Sequence, residues 1–263
     1  MRYPLMLPFI IFLGMVTNGP APAGVSGYPI EKNTQSLQSK ISTAYFNKIV
    51  SLSAGYDWIK AAQPQSVSLI PPFENYYTVN NNSRRSVFMG GLFLGVEYWQ
   101  NPLVGVQLGL GGYVDSATDI NGMVWQFGLP EFANLNYSYR IQSQRLVVEG
   151  KLLTTLKNRF HPYLSGNVGV SSNKAYAYEE QPLSSEIVPM SPFANQDQTS
   201  LTFSVGGGLD VDLFKSLRLG VGYQYFRLGK FSLGTSVAQE TSQTLAINRM
   251  DGHELRFQLT FVA

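Results

Sequence analysis

SLTFSVGGGLDVDLFKSLRLGVGYQYFR, residues 200–227, alternates in period two on both sides of a short polar turn, which is the pattern of a β-hairpin. Leu201, Phe203, Val205, Leu209, Val211 and Leu213 share one face of the first arm, and Thr202, Ser204, Gly206, Gly208, Asp210 and Asp212 share the other. The second arm repeats this, with Leu217, Leu219, Val221, Tyr223 and Tyr225 opposed to Arg218, Gly220, Gly222 and Gln224. Apolar residues stay on one face only if paired numbers sum to an even value. That parity sets Leu213 opposite Leu217 and Asp212 opposite Arg218.

The apolar face is continuous, while the other carries glycines and charges that would make a poor protein core. A soluble sheet packs its apolar face on a second layer, whereas a transmembrane barrel turns it to lipid and keeps small and polar groups inside. Composition agrees with strands: 25 glycines, 13% aromatic and only 14% charged residues in a chain of 263. The mean hydropathy of −0.04 opposes transmembrane helices and fits alternating lipid-facing and lumen-facing residues. A net charge of +2 gives no drive towards nucleic acid. With no cysteine, disulfides, thiolate metal sites and thiol catalysis are excluded.

Outward from the hairpin, the chain reads as one segmented array. Residues 1–23 combine a basic Arg2, an apolar run from Leu5 to Val16 and the small end Ala21-Pro22-Ala23, which predicts a signal peptide cleaved before Gly24. Residues 24–47 read as a polar segment on the periplasmic side, with a helical turn in 35–44, and 48–263 as the barrel. The first strand covers 48–60, with Val50, Leu52, Ala54, Tyr56 and Trp58 outward. The second covers 86–99, the third 103–115 and the fifth 162–178; the hairpin supplies the sixth and seventh. Leu255, Phe257, Leu259 and Phe261 face out on the eighth.

The fourth strand, beginning after Asn134, breaks parity. Tyr137, Tyr139 and Ile141 hold one phase and Leu146, Val148 and Leu152 the other, so a bulge near Ser143 or Gln144 is expected. Four connections are long (61–85, 116–134, 179–199 and 228–250) and three are short. An even strand number with that asymmetry is the plan of an outer-membrane barrel, whose strands need ~9–11 residues to cross. The expected fold is therefore all-β: an eight-stranded, antiparallel, transmembrane, up-and-down barrel.

The segments SLSAGYDW (51–58), FLGVEYW (93–99), Arg145 with EGKLL (149–153), HPYLSGNVGVSSNKAY (161–176) and LGVGYQYFRLGKFSLG (219–234) carry a resemblance to eight-stranded outer-membrane barrels of the OmpA, OmpX and opacity-like class of Gram-negative bacteria, closest to gammaproteobacterial opacity-like barrels. The resemblance implies location in the bacterial outer membrane, assembly by the barrel-insertion machinery and a surface-exposed protein. Such barrels usually end on an aromatic residue, whereas here Phe261 is followed by Val262 and Ala263.

Parity places Asp57, Glu97, Glu149, Asp210 and Asp212 in the lumen with Arg145, Lys151, Arg218 and Arg256, a near balance of charge. These groups form either a gated ion path or a salt-bridged plug, and an eight-stranded interior just wide enough for side chains favours the plug. Closure of the barrel is expected to bring Asp57 of the first strand to Arg256 of the eighth. Lys60, Arg84, Arg85, Arg140, Lys174, Arg227, Lys230 and Arg249 gather at the loop ends, as a solvated rim or as a collar for lipopolysaccharide phosphates. Tyr56, Trp58, Tyr137, Tyr139, Tyr176 and Tyr225 would form the interfacial aromatic girdle there.

Asp210-x-Asp212 and Asp251-x-His253 resemble the carboxylate and Asp-His pairs of outer-membrane proteases, but they belong to opposite ends of the barrel, roughly 20 Å apart. His161 is placed in a turn at the periplasmic end. No catalytic residue, cofactor or metal site is expected. The functional expectation is a monomeric, non-enzymatic barrel with a structural or surface-interaction role, contacting lipid, lipopolysaccharide and a host or surface ligand through four long loops. The alternatives are a narrow channel or small hydrophobic-solute conduit and a lipid-modifying enzyme.

Overall fold

The computed structural model describes residues 45–60, 62–69, 72–80, 84–189, 191–235 and 243–263. The signal peptide and the helical turn at 35–44 lie outside the described residues. Among the described residues eleven strands are formed: β1 Tyr45–Lys60, β2 Gln65–Ser68, β3 Glu74–Tyr77, β4 Arg84–Asn101, β5 Val104–Asp115, β6 Thr118–Trp125, β7 Ala133–Thr154, β8 Phe160–Pro182, β9 Gln196–Phe214, β10 Leu217–Ser232 and β11 Ala246–Val262. Eight of them close a ring in the order β7-β5-β4-β1-β11-β10-β9-β8, with β8 returning to β7 and every neighbour antiparallel.

The ring closes between β1 and β11, from Ile49 opposite Val262 to Ile59 opposite Gly252. Parity then dictates the rest. Leu52, Leu94, Leu108, Leu146 and Leu164 are each more than half exposed on the outside, a belt of apolar surface that only lipid can cover. In the hairpin, Asp212 lies opposite Arg218 and the ladder continues to Phe203 opposite Arg227. Its tip departs from the expected pairing: Leu217 meets Phe214 instead of Leu213, and one irregularity restores the register.

The turns at the other strand ends are locally encoded. Asn101 Oδ1 accepts from the N–H groups of Leu103 and Val104 at 2.8 and 2.9 Å, an Asx turn ahead of β5. Lys157 and Asn158 both adopt positive φ, 51° and 57°, as a tight hairpin turn demands.

The strands overshoot the bilayer at the loop end. β7 and β8 run 22 and 23 residues, about twice the ~9–11 needed to cross. The connections expected at 61–85 and 116–134 are themselves partly strands: β6 pairs with the upper half of β7, β3 with β6, and β2 with β3. This extension explains the parity break on the fourth strand. Tyr137, Tyr139 and Ile141 point inward, together with Ser143, Arg145, Val147 and Glu149, in one unbroken phase. No bulge occurs at Ser143 or Gln144, since the pairing of β7 with β8 is continuous from Arg140 opposite Tyr176 to Leu153 opposite Tyr163. The extra residue sits instead on β8, where Ala177 takes φ 55° beside the register shift at Ser138.

Above the membrane the lumen therefore changes content, not side. Tyr137 and Tyr139 leave the expected girdle and join an apolar core with Ile59, Val87, Ile120, Leu135, Phe226, Phe231 and Met250. Burial in that core pushes the Tyr77 hydroxyl up from its ordinary pKa. Tyr56 and Trp58 remain exposed on the outside, while Tyr225 and Tyr176 are half-buried.

Candidate functional site

Below the apolar core, the lumen charges stack in three tiers. At the turn end, Glu97 accepts from Trp99 Nε1, Gln107 Nε2 and an Arg218 guanidinium nitrogen, each at 2.7 Å. Arg218 also donates to Asp212 at 2.9 Å, and Asp212 holds His161 Nε2 at 2.8 Å. His161 is thus buried in the lumen against Trp99 and not in the turn, and its Nδ1 meets Thr155 Oγ1 at 3.1 Å. Parity could have placed it there, because Tyr163 is also inward. This chain of hydroxyl, imidazole and carboxylate shares its acid with Arg218, so it latches the ends of four strands, β7, β8, β9 and β10, together.

In the middle tier Lys151 lies 3.7 Å from Asp210, bonds to Gln258 and covers the ring of Tyr163 at 4.3 Å. The third tier is the densest. Arg145 reaches Asp115 at 2.9 Å and Asp57 and Glu254 at 3.3 Å. Arg256 reaches Glu254 at 2.5 Å and Glu149 at 3.2 Å, and its guanidinium lies 4.3 Å from the centre of the Tyr113 ring. The Tyr113 hydroxyl donates to Glu149 at 2.6 Å.

Two expectations are corrected here. Asp57 is paired with Arg145 from the facing wall, and the residue opposite it across the β1–β11 seam is Glu254; Arg256 stands opposite Gly55. The lumen is also not near balance. Asp115 and Glu254 join the five expected acids, so seven carboxylates face four strong cations among the described residues. Both lie in phase with residues already read as inward, Tyr113 and Arg256. Among the described residues, Asp57 Oδ1 and both Asp210 oxygens have no hydrogen-bond partner.

The eight cations expected at the rim are at the loop ends, but several are engaged. Arg140 pairs with Asp119 at 3.0 Å, and Arg85 donates to the Asp119 carbonyl and to Asn121. Arg227 and Arg249 share Asp251 at 2.8 and 2.6 Å, Arg227 also lies 5.1 Å from the Phe203 ring, and Lys174 lies 5.7 Å from that of Tyr176. Lys60 and Arg84 face each other directly across β1 and β4, and Lys230 lies two residues before the end of β10. The two protease-like pairs do not converge. Asp251 serves the arginines, His253 points outward and bonds the Tyr223 hydroxyl at 2.9 Å, and Asp210 and Asp212 sit in the lumen near the turns.

A closed ring of eight strands with a lipid-facing apolar belt and a charged lumen is an outer-membrane barrel. Residues 36–261 match the model of the outer membrane protein beta-barrel domain, and the chain belongs to that family. It is a protein of the bacterial outer membrane. Among solved structures, Neisserial surface protein A is 14% identical, with 83% of this chain and 98% of its own covered and a TM-score of 0.41. Outer membrane protein OprG from Pseudomonas aeruginosa is 17% identical, with 82% and 96% covered and a TM-score of 0.42. The outer membrane protease OmpT from Escherichia coli is 10% identical, with 83% and 96% covered and a TM-score of 0.39. No curated protein matches the sequence.

Proposed function

We propose that this protein is a closed, non-enzymatic barrel that acts through the surface it presents at its loop end, in a structural or surface-interaction role. The filling of the lumen carries this reading. Two cavities against the charged tiers, one lined by Asp57, Asp115 and Leu228 and the other by Glu149, Lys151 and Arg256, hold ≈10 Å³ each, room for about one water. A solute would have to displace both the buried ion pairs and the apolar core above them.

Among the described residues, strands build part of the loop end. β2, β3 and β6 extend the wall of the barrel, and at its edge Phe73, Phe127, Leu129 and Phe132 are exposed. Phe127 holds φ 58°, a conformation few L residues adopt, and its N–H donates to the buried Asn75 side chain at 3.3 Å. Long connections of such barrels face the cell exterior. Because the chain contains no cysteine, one introduced thiol is a unique label. Val188→Cys, at a site 80% exposed, is expected to react with a membrane-impermeant maleimide on intact cells, and Ser216→Cys only after lysis. The reverse pattern would overturn the orientation on which the reading stands.

A further inference from the structure

The β1–β11 seam opens at its loop end. The ladder ends at Ile59 opposite Gly252, and beyond it the chain of β1 departs through Gln63 and Pro64, a residue with no N–H to continue a ladder. β11 stays with β10, where Phe231 still pairs with Ile247 and Ser232 with Ala246. The gap is bridged at its top by Gln65 Oε1, which accepts from the Ala246 N–H at 3.1 Å. Between floor and bridge lies a cleft of ≈420 Å³, in the range of small-molecule sites (~300–1,000 Å³). Its lining includes Lys60, Gln63, Asn248, Arg249 and Asp251.

The residues on this cleft are aimed at it. Gly229 on β10 takes φ 84° between two register shifts, and the second shift leaves an extra residue on β11 between Ile247 and Met250. Asn248 and Arg249 are consequently both exposed, where alternation would bury one of them. Bulges re-aim side chains in this way. Cations also outnumber the carboxylate in the lining of the cleft, Lys60 and Arg249 against Asp251. Lys60 and Arg84 stand directly opposite each other, an arrangement that like charges oppose and a bound anion relieves. Arg227 and Arg249 share the single carboxylate of Asp251, and the Arg249 side chain is still 60% exposed.

Lys60 and Arg249 line the cleft and Arg84 and Arg227 flank it, so that cations stand on four adjacent strands, β4, β1, β11 and β10, just above an outward aromatic band. Trp58 stands opposite His253, and His253 stacks on Tyr223 with ring centres 5.7 Å apart. Below the band is the aliphatic belt. A ligand held here would thus present anionic groups to the cations, hydroxyls to the amides of Gln63 and Asn248, and acyl chains to the belt. We infer that the cleft at the β1–β11 seam binds the phosphorylated sugar headgroup of an outer-leaflet glycolipid, lipid A. The inference narrows the cationic collar to one sector; it rests on the outward orientation of the loop end proposed above and not on the closed lumen.

The test is a titration of the purified, folded full chain in detergent, read by native mass spectrometry. The probes are bisphosphorylated lipid A, its dephosphorylated form and phosphatidylglycerol. Lipid A is expected to bind about tenfold or more tightly than either other lipid, since each loses charge-assisted or hydroxyl contacts. Lys60→Ala/Arg249→Ala is expected to weaken lipid A by a similar factor, and Arg140→Ala/Lys174→Ala, on β7 and β8, to leave it within about twofold. Equal binding of the dephosphorylated form or of phosphatidylglycerol would overturn the inference, as would an unchanged Lys60/Arg249 variant. If that double variant does not fold, Asn248→Ala and the wild-type preference for phosphate decide the matter.

Discussion

Removing the Arg145 guanidinium is expected to cost far more than removing any one of the carboxylates around it. The side chain is 4% exposed and serves Asp115, Asp57 and Glu254 at 2.9 to 3.3 Å. Without it, Glu254 keeps Arg256 and Gln224, but Asp57 and Asp115 lose the cation that holds them in a confined interior. Breaking a buried pair so that charge is left uncompensated costs about 3–5 kcal/mol, and Arg145→Ala is expected in that range. Asp57→Ala is a different perturbation. It removes one 3.3 Å contact from a cation that keeps two others, and it removes an oxygen that has no partner, so its cost is expected near 1 kcal/mol. In the double variant one carboxylate fewer is stranded, and the loss should fall short of the sum by about 1 kcal/mol or more. Urea unfolding in lipid vesicles, followed by tryptophan fluorescence and by the heat-modifiable gel shift, measures all three. Equal losses for Arg145→Ala and Asp57→Ala, or strictly additive losses, would refute the pairing across the lumen. Stronger coupling of Asp57 to Arg256 than to Arg145 would refute it too.

Leu108, 56% exposed on β5, should tolerate alanine but lose about 2–4 kcal/mol as arginine, because charge at mid-depth on the lipid face is costly; vesicle unfolding would show it, and equal effects would invert the two faces of the wall. Gly91→Ala would put a Cβ 2.1 Å from the Tyr113 ring, which is tied to Glu149 and Arg256, and is expected to cost about 1–3 kcal/mol. Gly112→Ala, with nothing within 4 Å, should stay within about 0.5 kcal/mol, and a reversal of that order would show the Tyr113 ring to be free to move.

Parity alone made the ring and much of the site legible. Strict alternation puts Asp212 opposite Arg218, and the same rule reaches Asp115 and Glu254 once it is carried to the last inward position of each strand. It does not reach partners across the lumen, since pairing on the wall says nothing of how far a guanidinium extends; hence Asp57 meets Arg145 of β7 and not Arg256 of β11. The apolar residues of upper β7 were illegible for another reason. Reading apolar as lipid-facing holds only at the depth of the bilayer, and above it Tyr137, Tyr139 and Ile141 fill an interior like that of any soluble core. The strands β2, β3 and β6 are hidden because QSVS, ENYY and TDINGMVW lack the apolar–polar alternation that marks a strand off from a loop.

The claim that the barrel is closed is tested most directly by electrical recording of the folded protein in planar lipid bilayers. Ion pairs in three tiers beneath an apolar core predict a flat baseline, and Arg145→Ala, which leaves that core in place, should not open a path. Stable, ohmic single-channel steps from the wild-type protein would contradict the account.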